Sequence, residues 1–130
     1  MDASVEDQLL EADRRFNHEV AAARGADRAE VWASWFAGNG RQLVPGAVVG
    51  GREAITGMMG PVFAVEDHGL TWDPDLAEGS GDWGWTSGRY VSRSAGADGP
   101  ETREGRYLTV WTRTATGWKV AVDTGIPDPQ

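Results

Sequence analysis

The stretch GRYLTVWTRTATGWKVAVDTG, residues 105–125, carries the strongest structural signal in this chain. Apolar and polar side chains alternate with period two on both sides of the turn-forming TATG, as in two antiparallel strands joined by a short loop. After the turn, Trp118, Val120 and Val122 alternate with Lys119, Ala121 and Asp123. The apolar set should face the protein interior. The stretch therefore predicts a β-hairpin with one buried face.

The length of the hairpin loop determines which residues of its first strand share that face. A four-residue loop places the odd-numbered residues inside, namely Tyr107, Thr109 and Trp111. In that register Asp123 points outward. A three-residue loop ending at Gly117 places the even-numbered residues inside instead, namely Leu108 and Val110.

Upstream of the hairpin, helical periodicity gives way to strand-like alternation. Residues 4–25 carry one apolar stripe, which predicts a helix. A second helix is expected from Asp27 to Gly38, and a third over residues 51–59, ended by Gly60 and Pro61. Strand-like segments occupy residues 41–50, 69–79, 82–93, 102–114 and 117–126. Helices followed by a run of strands indicate an α+β domain.

Composition narrows the class of protein. The 130 residues fit one domain, residues 1–130, and their formal net charge of −8 comes without a cluster of basic side chains. Nucleic acid and membrane are therefore not expected as partners. The N-terminal region is acidic and lacks a long apolar run, which favours a soluble cytoplasmic protein. With no cysteine and two histidines, no metal and no other cofactor is expected.

Three features together resemble a known family: the early helical pair, GGREAI at residues 50–55, and the terminal hairpin. The chain resembles the ketosteroid-isomerase-like superfamily, also called nuclear-transport-factor-2-like (NTF2-like) or SnoaL-like, over residues 5–126. Its nearest branch is a group of small bacterial domains without an agreed function. The resemblance implies a cone-shaped α+β roll, in which a strongly curved antiparallel sheet encloses the helices and an apolar cavity. It also favours the four-residue hairpin loop and a homodimer formed through the convex face of the sheet.

The residues that the isomerases of this family use are replaced here. The resemblance implies that Val44 occupies the position of the isomerases' catalytic base and that Thr109 occupies the position of their neutral aspartic acid in the sheet. The isomerases also use a tyrosine of the first helix, and the first helix of this chain has none. Abstraction of a proton next to a carbonyl needs a base and a donor set for the enolate oxygen. Isomerase activity is therefore not expected, and no catalytic residue is assigned.

The stretch GDWGWTSGRY, residues 81–90, has one bulky and one nearly bare face. Its glycines predict a sharply bent strand, but period two alone leaves open which face lines the cavity. If Trp83 and Trp85 point inward, Arg89 does so too and could bind a ligand carboxylate. Otherwise Arg89 pairs with an acidic side chain at the surface.

The predicted cavity is apolar and rich in tryptophan. Its expected lining and ligand-binding residues are Phe16, Trp35, Val44, Met58, Trp85, Arg89, Tyr107, Thr109 and Trp111. A small hydrophobic or aromatic molecule, neutral or acidic, would suit such walls, with the hydroxyls of Tyr107 and Thr109 fixing its orientation. A small-molecule-binding domain is one function that follows.

A SnoaL-like enzyme, such as a cyclase, dehydratase or hydrolase, is the alternative. Its acid and base would come from Asp73, Asp75, His18 or Arg89, although the two histidines, His18 and His68, are expected at the surface. A collapsed cone that serves only to dimerise is a third possibility. A buried carboxylate or histidine within reach of the cavity would favour the enzyme, and a wholly apolar cavity with a few hydroxyls would favour the binding domain.

Overall fold

The computed structural model describes residues 3–64, 69–96 and 99–129, which form three helices and six strands. The helices are α1 (Val5–Ala22), α2 (Asp27–Ser34) and α3 (Arg52–Ala64). The strands are β1 (Phe36–Val44), β2 (Ala47–Gly50), β3 (Gly69–Ser80), β4 (Trp83–Gly96), β5 (Gly99–Thr114) and β6 (Gly117–Pro127). The expected α+β class is confirmed. None of the described helices has both the length and the apolar character to cross a membrane.

The strands form a single sheet in the order β2-β1-β6-β5-β4-β3. Neighbouring strands are antiparallel except β1 and β6, which run parallel. The sheet is curved and not closed, and it bends around α1. Helix α1 packs on β3 and β4, and its Gln8 accepts hydrogen bonds from Arg113 of β5 and Trp118 of β6.

Two predicted helix ends were wrong. Helix α2 ends at Ser34, and Phe36 already belongs to β1, where its neighbour on β6 is Val120. Helix α3 continues past Pro61 to Ala64. Proline normally crowds the Cβ of the residue before it, and Gly60 has no Cβ, which permits this continuation.

The bare face of β4, rather than its tryptophan face, turns toward α1. A Cβ at Gly84 would overlap the Leu9 side chain, and one at Gly79 of the neighbouring strand would lie 2.8 Å from Leu9 Cδ1. Glycine is required at these positions because the helix approaches the strands so closely. Trp83, 58% exposed, and the half-buried Trp85 consequently lie on the convex face.

The last hairpin has the four-residue register near its turn, with Arg113 opposite Trp118. A β-bulge then intervenes, so that Val110 lies opposite Val122 and Thr109 opposite Asp123. One extra residue in a strand exchanges the faces of everything beyond it. The prediction that Val122 faces inward and Asp123 outward was therefore wrong, while Tyr107, Thr109 and Trp111 are buried as expected.

The core is built around Phe16 of α1. Its ring centroid lies 4.9 Å from those of Trp32 and Trp72, 5.4 Å from that of Trp35 and 6.3 Å from that of Trp111. The Phe16–Trp35 pair is stacked and the other three contacts are tilted or edge-to-face, and such contacts stabilise aromatic clusters beyond the burial of their area. The half-buried Trp118 stays outside this cluster and stacks beneath the guanidinium of Arg113.

Candidate functional site

An apolar cavity of about 180 Å³ lies between the helices and the concave face of the sheet. Phe16 comes from α1, Trp32 from α2 and Met59 from α3. The strands contribute the remaining lining residues, which are Gln42, Leu70, Trp72, Tyr90, Tyr107, Thr109, Asp123, Thr124 and Gly125. Five of these twelve residues are aromatic, and the surface that the wall presents is mostly apolar.

Asp123 is the one acidic side chain that lines this cavity in the described part of the chain. It is 8% exposed, and its Oδ1 accepts a 2.8 Å hydrogen bond from the Thr109 hydroxyl. No described residue hydrogen-bonds its Oδ2. Burial raises the pKa of Asp123 to about 7, since the single hydrogen bond from Thr109 offsets little of the desolvation and the nearby Asp13 adds repulsion.

A second buried carboxyl group, that of Asp13, hydrogen-bonds two residues of the cavity wall, Trp72 and Tyr107. Asp13 of α1 is fully buried and accepts 2.8 Å hydrogen bonds from Trp72 Nε1 and from the Tyr107 hydroxyl. Burial raises the pKa of Asp13 despite these hydrogen bonds and one from Thr86. Burial and the adjacent Asp13 also raise the pKa of Tyr107. The Tyr107 hydroxyl proton is thus directed at Asp13, which leaves its oxygen as an acceptor.

Gln42 is the nearest polar neighbour of Asp123 on the adjacent strand, where the two residues share one register position. Its Oε1 accepts a 2.9 Å hydrogen bond from Trp32 Nε1, and its Nε2 lies 3.7 Å from the sulfur of Met59. A thioether is a weak acceptor, so the amide N–H groups of Gln42 retain capacity for a ligand.

The structure brings three of the predicted site residues to the cavity wall, namely Phe16, Tyr107 and Thr109. Trp35 and Trp111 pack in the core beside Phe16, and neither lines the cavity. In α3 it is Met59, rather than the predicted Met58, that reaches the wall. Val44 lies at the end of β1 beside the turn into β2 and does not line the cavity.

Trp85 and Arg89 lie on the convex face, so the interpretation that placed them in the cavity was wrong. The reason is that the glycines of β4 occupy the face that packs on α1. Arg89 forms a two-pronged ion pair with Asp128 near the C-terminus. It is therefore engaged with a surface carboxylate rather than available to a ligand in the cavity.

The acids and bases considered for an enzyme do not meet at the cavity either. Asp73 has an 84% exposed side chain, and Asp75 forms an ion pair with Arg106. His18 is exposed on α1, as expected. The prediction for His68 falls outside the described residues.

Sequence reasoning missed Asp13 and Asp123. Asp13 occupies the apolar stripe of α1, four residues after Leu9 and three before Phe16, and this spacing was a detectable signal of burial. Asp123 carried no such signal, because its inward position depends on the bulge in β6. No three metal-ligating side chains converge anywhere in the described ranges.

The fold places the chain in a known structural class. A ketosteroid isomerase-like protein from Erwinia carotovora superposes with a TM-score of 0.81 at 13% sequence identity, covering 99% of this chain and 100% of that one. An NTF2-like superfamily protein from Salmonella enterica gives a TM-score of 0.76 at 15% identity, covering 97% and 92%. An NTF2-like protein with a cystatin-like fold from Novosphingobium aromaticivorans gives 0.73 at 19% identity, covering 92% and 79%.

No protein-family model and no curated protein matches the chain. The structural likenesses nevertheless define its class: the chain has the NTF2-like, or ketosteroid-isomerase-like, fold. The expected resemblance is confirmed at the level of the fold.

Proposed function

We propose that this domain binds a small, mainly apolar molecule in the cavity and orients it through Asp123. The observation that carries the proposal is a buried carboxyl group at the wall of an aromatic cavity, with one oxygen lacking a hydrogen-bond partner among the described residues. A buried polar group without a partner is destabilising unless something pairs with it. A ligand with a hydrogen-bonding group would provide that partner.

The size of the cavity limits the ligand. An engineered apolar cavity of about 150 Å³ holds one benzene molecule. The present volume of about 180 Å³ therefore suits a single substituted ring. Phe16, Trp32 and Trp72 provide flat apolar walls for such a ring.

Acid–base catalysis is a second candidate function, because a buried carboxyl group at the cavity wall, that of Asp123, is the feature expected of an enzyme from the sequence. A carboxyl group with a pKa of about 7 can both donate and accept a proton at neutral pH, which is the property required of a general acid or base. Thr109 replaces the aspartic acid that the family resemblance implies at this position of the sheet. On the neighbouring strand, however, the carboxyl oxygen Oδ1 of Asp123 lies 2.8 Å from the Thr109 hydroxyl. The neighbouring strand thus supplies a carboxyl group to the same part of the wall.

Binding is tested with benzyl alcohol, followed by tryptophan fluorescence and by the melting temperature. Trp32 and Trp72 line the cavity, so an occupied cavity should change their emission, and a molecule that binds only the folded state should raise the melting temperature. Gly125→Leu should abolish both effects, because a Cβ at Gly125 points toward Tyr90 at the cavity and has only ordinary contacts, 3.4 Å at the closest. Gly38→Leu is the matched control, since a Cβ there meets nothing within 4 Å.

Catalysis is tested separately by deuterium exchange at the carbon next to the carbonyl of cyclohexanone. Exchange by the wild-type protein that disappears in Asp123→Asn would support the acid–base candidate. Saturable binding with no exchange above buffer would support binding alone. If neither benzyl alcohol nor the ammonium analogue benzylamine changes the fluorescence or the melting temperature, the proposed function is wrong.

We also propose that two copies of the chain associate through the convex face of the sheet. Six large apolar side chains are exposed on that face, namely Leu43, Val48, Leu76, Trp83, Leu108 and Ile126. Val110 joins Trp83 and Trp85 in a shallow groove on the same face. Exposed apolar side chains in this number on one face mark an interaction site on a small protein, and a self-complementary pairing would cover them in both copies.

A further inference from the structure

Among the described residues the cavity wall has one acidic group and no basic one. Asp123 lines it, and Asp13 lies directly behind Tyr107, while no lysine, arginine or histidine of the described ranges contributes to the wall. Arginines of the neighbouring strands are engaged elsewhere: Arg89 pairs with Asp128 and Arg106 with Asp75, both at the surface. The carboxyl group of Asp123 therefore has no counter-ion among the described residues.

The rest of the wall suits an organic cation. Five of the lining side chains are aromatic, namely Phe16, Trp32, Trp72, Tyr90 and Tyr107. Aromatic ring faces attract cations electrostatically, and the attraction grows when the cation is removed from water. An ammonium group carried on a single ring would combine both features, because its ring would occupy the apolar volume and its N–H groups would donate to Oδ2 of Asp123, which no described residue hydrogen-bonds.

We propose that the cavity selects a small organic cation, a single ring bearing an ammonium group, over neutral and anionic molecules of the same shape. This inference rests on the proposed binding function, and it specifies the charge of the ligand. It also departs from the expectation of a neutral or acidic ligand, because the arginine invoked for a ligand carboxylate lies on the opposite face of the sheet.

Protonation of Asp123 makes the proposal sensitive to pH. The polar groups around its carboxyl are Thr109 and Tyr107 of β5, Gln42 of β1, Tyr90 of β4 and, from α1, Asp13. The other elements contribute only uncharged side chains to this cavity, namely Trp32 of α2, Met59 of α3, and Leu70 and Trp72 of β3. Burial raises the pKa of Asp123 to about 7, so near neutral pH part of the population carries a proton that a bound cation must displace.

Affinity for the cation should accordingly rise with pH. An aliphatic ammonium stays protonated well above neutrality. Between about pH 6 and about pH 8, the ionised fraction of a carboxyl with a pKa of about 7 increases about tenfold, and the affinity should follow. Binding near pH 7 should release protons to the buffer, whereas a neutral ligand should release none.

The experiment is calorimetric titration of the full chain with benzylamine, benzyl alcohol and benzoate, three molecules of similar shape and different charge. At about pH 8 benzylamine should bind at least about tenfold more tightly than benzyl alcohol, and benzoate more weakly than either. Repeating the benzylamine titration in buffers of different ionisation enthalpy measures the released protons. In Asp123→Asn, benzylamine should lose both its advantage over benzyl alcohol and its pH dependence.

The possible failures are distinguishable. If benzyl alcohol binds as tightly as benzylamine at about pH 8, or if benzoate binds most tightly, the charge selection is wrong and the binding function stands. An unchanged preference for benzylamine in Asp123→Asn would also overturn it, because the carboxylate would then not be the selecting group. If none of the three molecules binds, the inference and the proposed function both fail.

Discussion

Asp123 and Thr109 face each other across the β5–β6 ladder on the concave side of the sheet, with 2.8 Å between Thr109 Oγ1 and Asp123 Oδ1. The bulge in β6 creates this relationship, since a regular ladder from the hairpin turn would leave Thr109 opposite Val122 and turn the carboxyl outward. A single extra residue in the strand therefore converts an apolar wall into a wall with one acidic group.

Asp123→Asn should stabilise the protein at alkaline pH. Burial raises the pKa of Asp123 from 3.8 to about 7 in the folded state, so the favourable contribution of its neutral form is complete below about pH 4 and is lost as the pH rises through about 7. The variant has no such loss, and at about pH 8 it should be more stable by about 2–4 kcal/mol. Denaturant unfolding of both proteins at acidic and alkaline pH measures the difference. Parallel stability curves for the two proteins would show that Asp123 is not desolvated.

Asp13→Ala should destabilise the protein by about 3 kcal/mol, because the buried Trp72 Nε1 and the Tyr107 hydroxyl would both lose their acceptor. Tyr107→Phe removes one of these hydrogen bonds and should cost about 1 kcal/mol. Asp73→Ala is the control, because that side chain is exposed and should change stability by less than about 0.5 kcal/mol. Equal losses for Asp13→Ala and Asp73→Ala, measured by denaturant unfolding, would contradict the buried network.

Gly84→Ala should be destabilising by about 2 kcal/mol or more, because its Cβ would overlap Leu9 of α1 and lie 2.7 Å from the carbonyl oxygen of Glu78. Gly38→Ala has open space around the new Cβ and provides the reference for an alanine at a strand glycine. Thermal unfolding of the two variants compares them directly. A Gly84→Ala protein as stable as Gly38→Ala would mean that the glycine face of β4 does not pack on the helix.

Val110→Lys should convert the proposed dimer into monomers, because it places a charge in the apolar groove beside Trp83 and Trp85. Ala115→Lys adds the same charge at the exposed tip of the last hairpin and should leave the dimer intact. Sedimentation velocity of both variants and of the wild-type protein measures the assembly. A wild-type protein that is monomeric at high concentration would rule out the convex face as an interface between copies.

Local periodicity was sufficient to predict much of the fold. The apolar stripe around Phe16 and Val20 defines α1, and the alternation on both sides of residues 114–117 defines the last hairpin and its loop. These patterns can be recognised in the sequence because residues three or four apart share a face of a helix and residues two apart share a face of a strand, independently of the rest of the chain. The alternation alone left the loop length open, and the family resemblance favoured the four-residue loop that buries Tyr107, Thr109 and Trp111, as the structure confirms.

The candidate site depended on contacts between distant parts of the chain. The close approach of Leu9 to Gly84 decides which face of β4 turns inward. A bulge in β6 decides the position of Asp123, and no turn residue or strand propensity in the sequence indicates that bulge. Asp13 becomes a buried acceptor only because α1 lies against Trp72 and Tyr107. Sequence by itself determined the elements and their apolar faces, since those are properties of neighbouring residues. Only the tertiary structure decided that the carboxyl group of Asp123 lies in the cavity wall, because the bulge in β6 and the bend of the sheet around α1 set which side chains meet there.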